Sequence, residues 1–325
     1  MLRRRSLLLC TPLLAAAATC PWAYAQTERF PSGPIKLVVN FPAGGNADLI
    51  GRVYARKLSE QLSTPVVVDN RGGAAGTIGA DYVAKSAPDG HTLLITPYSV
   101  FTNPNPGIKT TYKPQEDFVP VLPMTIAPLI VAVSAESQVT SLRQLEQFAR
   151  NNRLSYGTYG PMTTTHIWQH RISTQLKARD SVAVAYRGEA PMLTDLLGGQ
   201  IQMGVLSQPF ARENEKAGKI KLVGILGQYR SEFLPHLPTL QELGFQGVDW
   251  TDGVVVFAPA RTPSQVLQRL QEASRRVLQD EDTLRALRAQ PNQPWLDMTP
   301  EKLKAQMAGD VAYWDKARAE LGATQ

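Results

Sequence analysis

The sequence predicts an α/β protein of two doubly wound α/β domains joined by a two-strand hinge, and three observations carry that prediction. Short runs rich in Val, Ile and Leu alternate with amphipathic segments, the pattern of helices packed on a mostly parallel sheet. Glycine-rich turns follow several of the apolar runs and open the next helix. A stretch dense in Pro, Asn, Thr and Tyr, 103–123, interrupts the alternation before a second series begins.

Taken in order, Ile35–Asn40 is the first strand, Phe41–Asn46 a loop, and Ala47–Gln61 a helix. Leu49, Ile50, Val53, Leu58 and Leu62 mark that helix's buried stripe. Val66–Val68 is a strand, a helix opening at Gly72–Gly76 runs through Ala84, and Thr92–Thr96 is a third strand. After the irregular 103–123 segment, Leu129–Val133, Leu154–Tyr156, Val182–Ala185 and Met203–Leu206 read as strands. Ser141–Asn151, Thr164–Leu176 and Glu189–Leu197 are the helices between them. Val254–Ala258 is a strand again, followed by helices over Ser264–Gln279 and Pro300–Leu321. The tail returns to the first domain, so 26–127 plus 253–325 form domain 1 and 128–252 form domain 2, with crossings near 124–130 and 250–256.

Arg3, Arg4 and Arg5, an apolar run from Leu7 to Ala18, and Ala23-Tyr24-Ala25 have the three parts of a secretory signal peptide cleaved after Ala25. The apolar run is shorter than the roughly 20 residues a spanning helix needs. Export places the mature chain in the periplasm. Both cysteines, Cys10 and Cys20, fall inside the leader, which leaves no thiol for a disulfide or a metal in the mature protein. The leader arginines supply half of the net charge of +6, and no basic block follows them, which argues against nucleic acid as a partner.

Four loops carry the chemistry. Phe41-Pro42-Ala43-Gly44-Gly45-Asn46-Ala47-Asp48 lies between a strand and a helix, whose unpaired N–H groups and positive dipole end make a carboxylate or phosphate seat. An ordinary helix start capped by Asn46 is the plainer alternative. Asn70-Arg71-Gly72-Gly73-Ala74-Ala75-Gly76-Thr77 repeats the arrangement at the same sheet edge, with close packing at Gly76 and Gly79 the competing explanation. Tyr156 to His166 brings four threonines and two glycines before a helix, an uncharged anion site of hydroxyls and amides. Tyr186-Arg187-Gly188-Glu189-Ala190 is the fourth loop. His166 and His170 lack the glutamate of a zincin helix, and no Gly-x-Ser-x-Gly turn surrounds Ser99 or Ser207 to pair with His236. No metal, cofactor or catalytic set is expected.

In order along the chain, Phe41-Pro42-Ala43-Gly44-Gly45 with Asp48, Val68-Asp69-Asn70-Arg71-Gly72-Gly73-Ala74, Ala84-Lys85-Ser86-Ala87-Pro88-Asp89-Gly90-His91-Thr92, Tyr186-Arg187-Gly188, Leu196-Leu197-Gly198-Gly199-Gln200, Leu237-Pro238-Thr239 and Phe257-Ala258-Pro259-Ala260-Arg261-Thr262-Pro263 resemble the Bug-type substrate-binding proteins of tripartite tricarboxylate transporters. The resemblance implies a type II periplasmic binding protein fold that closes on a small carboxylate and presents it to a membrane permease. It places the first-domain grip at Pro42, Ala43, Gly44, Gly45 and Asp48, and the second-domain grip at Thr158, Thr163, Thr164 and, in support, His166. The full candidate set adds Gly73, Ala74, Thr77, Ser99, Arg187, Gly188 and Ser207. Where the family has a Ser-Ala-Gly-x-Gly-Ser run, this chain has Thr158-Tyr159-Gly160-Pro161-Met162-Thr163, with Tyr159 and Met162 replacing small residues. An aspartate usual after the strand near 201–206 is replaced by Leu206, so the expected ligand lacks an amino group. The protein is expected to be a monomer. A ligand sensor read by a signalling domain, and an enzyme using Asp48, His166 and Arg187, are the competing functions.

Overall fold

The computed structural model describes residues 30–322, so the expected signal peptide, with Cys10 and Cys20, lies outside the described residues. The first series comprises β1 (Ile35–Val39), α1 (Asn46–Leu62), β2 (Val66–Asn70), α2 (Thr77–Ala84), β3 (Thr92–Pro97), the short α3 (Ser99–Thr102) and α4 (Pro114–Asp117), and β4 (Phe118–Ala127). The second comprises β5 (Leu129–Ser134), α5 (Leu142–Asn151), β6 (Arg153–Thr158), α6 (Thr164–Gln175), β7 (Asp180–Ala185), α7 (Glu189–Leu197), β8 (Met203–Leu206), α8 (Gln208–Lys216) and β9 (Ile220–Leu226). β10 (Asp252–Pro259), α9 (Ser264–Gln279), α10 (Glu281–Ala289), β11 (Gln293–Pro294) and α11 (Pro300–Gly322) complete the chain.

Two sheets result, ordered β11-β4-β10-β3-β1-β2 and β7-β6-β8-β5-β9. In each, parallel strands stand in the order second, first, third, and one antiparallel strand is inserted before the next: β10 in the first lobe and β5 in the second. β5 follows directly on β4 through Pro128, and β10 brings the chain back, so both inserted strands sit where the chain changes sheets. α1 shows why the local segments fold as they do. Ile50, Val53, Tyr54, Leu58 and Leu62 bury one face against β1 and β3, and Ser63, in the left-handed region at φ 51°, ends the helix.

The structure departs from the sequence prediction in several places, and the helix α10 and the short α3, α4 and β11 are among the unpredicted elements. The 103–123 segment is irregular only as far as Lys113, because Pro114–Asp117 form α4 and Phe118–Pro123 belong to β4. Pro120 and Pro123, which suggest a loop, are accommodated by bulges at Val121 and Met124, where the ladder against β10 skips a residue. Between 207 and 252 the chain forms α8 and β9, neither predicted; α8 is strongly polar and β9 is interrupted by Lys221 and Gly224. Finally, α11 is shared between the lobes. Leu303 and Met307 pack in the first lobe with Tyr98 and Phe257, whereas Trp314, Ala317 and Leu321 enter the second-lobe core beside Trp168 and Ile172.

Trp314 is fully buried, with ring centroids 5.3 Å from Trp168 and 5.2 Å from Trp250. Trp314→Ala should therefore cost about 3–5 kcal/mol of stability, read as a lowered urea midpoint.

Candidate functional site

The loops at the carboxyl ends of β1, β2, β6, β7 and β8 converge on a partly open cleft between the lobes with a cavity volume of about 140 Å³. Gly45 and Thr163, the N-cap residues of α1 and α6, both line it, and neither gives its helix a side-chain cap. Ser207, N-cap of α8, behaves likewise. Away from the cleft, Ser141 and Asp280 cap α5 and α10 with their own oxygens. Thr163 turns its hydroxyl back to the Gly160 carbonyl at 2.7 Å, so the amides at the start of α6 are left to the cleft. Asn46 is the first helical residue rather than the cap, and its side-chain amide pairs reciprocally with Asn292 at 3.0 and 3.1 Å.

Across the mouth the lobes touch. Pro42 packs on Gly188, where an added Cβ would stand 3.0 Å from the proline Cδ, and the Phe41 and Tyr159 rings lie 6.1 Å apart. The irregular segment reaches over as well: Asn103 Nδ2 donates to Thr164 Oγ1 at 3.1 Å, and Asn105 Nδ2 donates to the Pro161 carbonyl.

Two carboxyl groups stand in the cleft wall, and among the described residues no Lys, Arg or His lines it. Glu189 accepts from the Ser207 N–H at 2.5 Å and the Ser207 hydroxyl at 3.0 Å, while the Asn46 N–H of the opposite lobe also faces it. Burial nevertheless raises its pKa from 4.5 to about 7, because hydrogen bonds alone offset only part of the desolvation. Asp252 accepts from Ser99 N–H at 3.1 Å, Ser99 Oγ–H at 2.5 Å and the Gly253 N–H at 2.8 Å, and burial raises its pKa too. The Tyr159 phenol is held protonated by burial first and then by the charges of these two groups. The sequence reading took acids to be missing here because Leu206 replaces an aspartate; Glu189 and Asp252 supply them from other elements, so the basis for expecting a ligand without an amino group fails.

Of the expected residues, Pro42, Gly45, Thr77, Ser99, Thr163, Thr164 and Ser207 line the cleft. Asp48 does not. Burial alone would raise its pKa, but Arg52, the Gly44 N–H at 2.9 Å and Asn70 Nδ2 at 3.0 Å outweigh it and hold the carboxylate low. Asp48 thus fastens the glycine turn from behind and takes the Gly44 N–H out of play, while Ala43 and Gly44 lie exposed beside the cleft. Thr158 and His166 are likewise behind the wall: Thr158 Oγ1 accepts from Gly160 N–H at 3.2 Å, and His166 Nδ1 accepts from Met162 N–H at 3.0 Å. Burial, then the neighbouring His170, lowers the His166 pKa and keeps that nitrogen an acceptor. Ala74 and Arg187 line a shallower depression next to the cleft, Gly73 meets Ile78, and Gly188 is covered by Pro42. Gly76 and Gly79 serve close packing, since a Cβ on either would stand 2.6–2.7 Å from Asn40. His236 lies at the surface near Glu215, and Asp48, His166 and Arg187 face no common cavity.

Residues 50–316 match the family model described as the tripartite tricarboxylate transporter family receptor. The chain belongs to that receptor family. It is 35% identical over 94% of its length to a protein of the tcbD-tcbE intergenic region of Pseudomonas sp. strain P51, covering 92% of that relative, and 31% identical to BugT of Bordetella pertussis over 93% of each chain. Among solved structures it is similar to an R. palustris protein with adipate, at TM-score 0.83 and 30% identity over 90% of this chain and 98% of the other. It is also similar to MatC of Rhodopseudomonas palustris with bound malate, at TM-score 0.80 and 25% identity over 89% and 99%. A structure described as the periplasmic binding protein BugD is similar at TM-score 0.83 and 27% identity over 90% of this chain and 99% of the other, so the two-sheet α/β fold is shared with a periplasmic binding protein.

Because Glu189 in the folded receptor has its pKa raised, the native state binds more protons than the unfolded chain between pH 4.5 and about 7. Its contribution to stability is full below pH 4.5 and is lost as pH rises through 7. Subtracting the Tm-versus-pH curve of Glu189→Gln from that of the wild type should leave a decline across that window; a flat difference would contradict the assigned environment.

Proposed function

We propose that this receptor is exported to the periplasm, captures a small carboxylate between its lobes and delivers it to a tripartite tricarboxylate-type permease. The observation that carries the reading is the convergence on one cleft of helix starts from both lobes, at Gly45 and Thr163, without side-chain caps. Backbone amides at such ends hold a carboxylate without a metal or a lysine, and the Thr163 and Thr164 hydroxyls stand beside them. The adipate- and malate-bound relatives support the ligand class. Binding rather than catalysis is supported by the receptor family and by its adipate- and malate-bound relatives. The two passages between sheets, at Pro128 and ahead of Asp252, are the hinge about which 26–127 with most of 253–325 moves against 128–252. Pro42, Gly45, Thr77, Ser99, Thr163, Thr164 and Ser207 form the ligand surface; Ala43, Gly44, Asp48, Gly73, Ala74, Thr158, His166, Arg187 and Gly188 shape or flank it.

A thermal-shift screen of organic acids should give saturable stabilisation that grows with ligand concentration, as linkage requires. For the best ligand, Thr164→Val should weaken binding by up to about tenfold through the loss of a hydroxyl whose proton is free to meet the carboxylate, the Thr163 hydroxyl being committed to Gly160. No stabilisation by any carboxylate would end the proposal.

A further inference from the structure

Glu189 and Asp252 have no part in gripping an anion, yet both face the space where the ligand is to sit. Each carboxylate offers about four lone-pair sites. Glu189 spends three of them on Ser207 N–H, Ser207 Oγ–H and Asn46 N–H, and Asp252 spends three on Ser99 N–H, Ser99 Oγ–H and Gly253 N–H. One acceptor position remains on each, and both line the same cleft as Tyr159. Among the described residues the lining holds no cationic side chain that could neutralise them. The Asn46 amide, first in α1 and the natural partner of a ligand carboxylate in the first lobe, already faces Glu189. The α6 start with Thr163 and Thr164 remains for a ligand anion in the second lobe.

We propose that Glu189, with Asp252 beside it, makes this receptor select ligands carrying one carboxylate and, at the other end, an ammonium or amide N–H, and disfavour di- and tricarboxylates. The inference rests on the carboxylate-receptor reading and adds the second end of the ligand. A donor nitrogen fills the free acceptor positions and holds Glu189 ionised. Above pH 7, where Glu189 is ionised, a second ligand carboxylate would put four negative groups in a cleft whose described lining holds no cationic side chain, or force Glu189 to take up a proton, so the discriminating titrations are run at pH 8. The preference is a difference between two affinities, and the repulsion does as much to set it as the attraction.

The test is calorimetric titration of the mature protein with matched acids of similar size, succinate against succinamate and adipate against 6-aminohexanoate, alongside a thermal-shift panel of further amino, amide and polycarboxylic acids. The donor-bearing member of a pair should bind at least about tenfold tighter, and Glu189→Gln should shrink that ratio by about tenfold, chiefly by admitting the dicarboxylate. Asp252→Asn is the second variant, acting in the same direction should Glu189→Gln fold poorly. Tighter binding of succinate or adipate by the wild type overturns the inference and leaves the receptor reading standing, as does an equal response to both members. A panel in which no carboxylate of either kind binds overturns both.

Discussion

The structure depends on how negative charge is held in the cleft between the lobes. A carboxylate withdrawn from water needs partners, and in most buried sites the partner is a base. Here the described lining has none, and the partners of the two cleft carboxyl groups are backbone amides together with serine hydroxyls. Glu189 shows the arrangement at work within the protein itself. Its carboxyl lies against the start of α8 in its own lobe and faces the first amide of α1 in the other. A charged hydrogen bond to an amide is strong but does not replace full hydration, which is why the pKa remains raised to about 7.

Everything around the cleft keeps those amides in position. Asp48 ties the Gly44 turn to Arg52 and Asn70, an arrangement that stiffens the loop and spends a carboxylate well away from the ligand space. His166 and Thr158 do the same for the loop before α6, by accepting from Met162 and Gly160. Glycines let the loops lie close: Gly79 has no room for a Cβ against the Asn40 backbone, and Gly188 admits Pro42 from the opposite lobe. Behind them, α11 joins the two hydrophobic cores, with Leu303 and Met307 in one and Trp314 in the other. The lobes are thus connected by two strand passages and by one helix that packs on both.

The family membership and the local chemistry divide the functional question between them. The relatives point to carboxylates as the class of ligand, and the uncapped start of α6, whose amides are left to the cleft, supplies a physical means of holding one. Glu189 and Asp252 belong to this chain's own cleft and bear on what else the ligand must carry. Neither the family nor the fold dictates that second feature, because specificity rests on the particular side chains that face the bound molecule.

Alternating apolar runs and amphipathic stripes were enough to determine the α/β class, most strands, and the loops at the strand ends, because burial periodicity and glycine turn chemistry are local properties. Those loops did contain the residues that meet in the cleft, among them Gly45, Thr163, Thr164 and Ser207. Asp48 and Thr158 looked like ligand contacts because their positions along the chain are right; only the fold shows their oxygens engaged behind the wall. Glu189 stands in the fourth loop and Asp252 in the second crossing, yet neither neighbourhood in the sequence reveals the other lobe. Tertiary structure alone decided that both acids face one cavity, that Asn103 crosses to Thr164, and that α11 serves two cores. Those are contacts between residues tens to hundreds of positions apart, and no local pattern encodes which of them the packing will bring together.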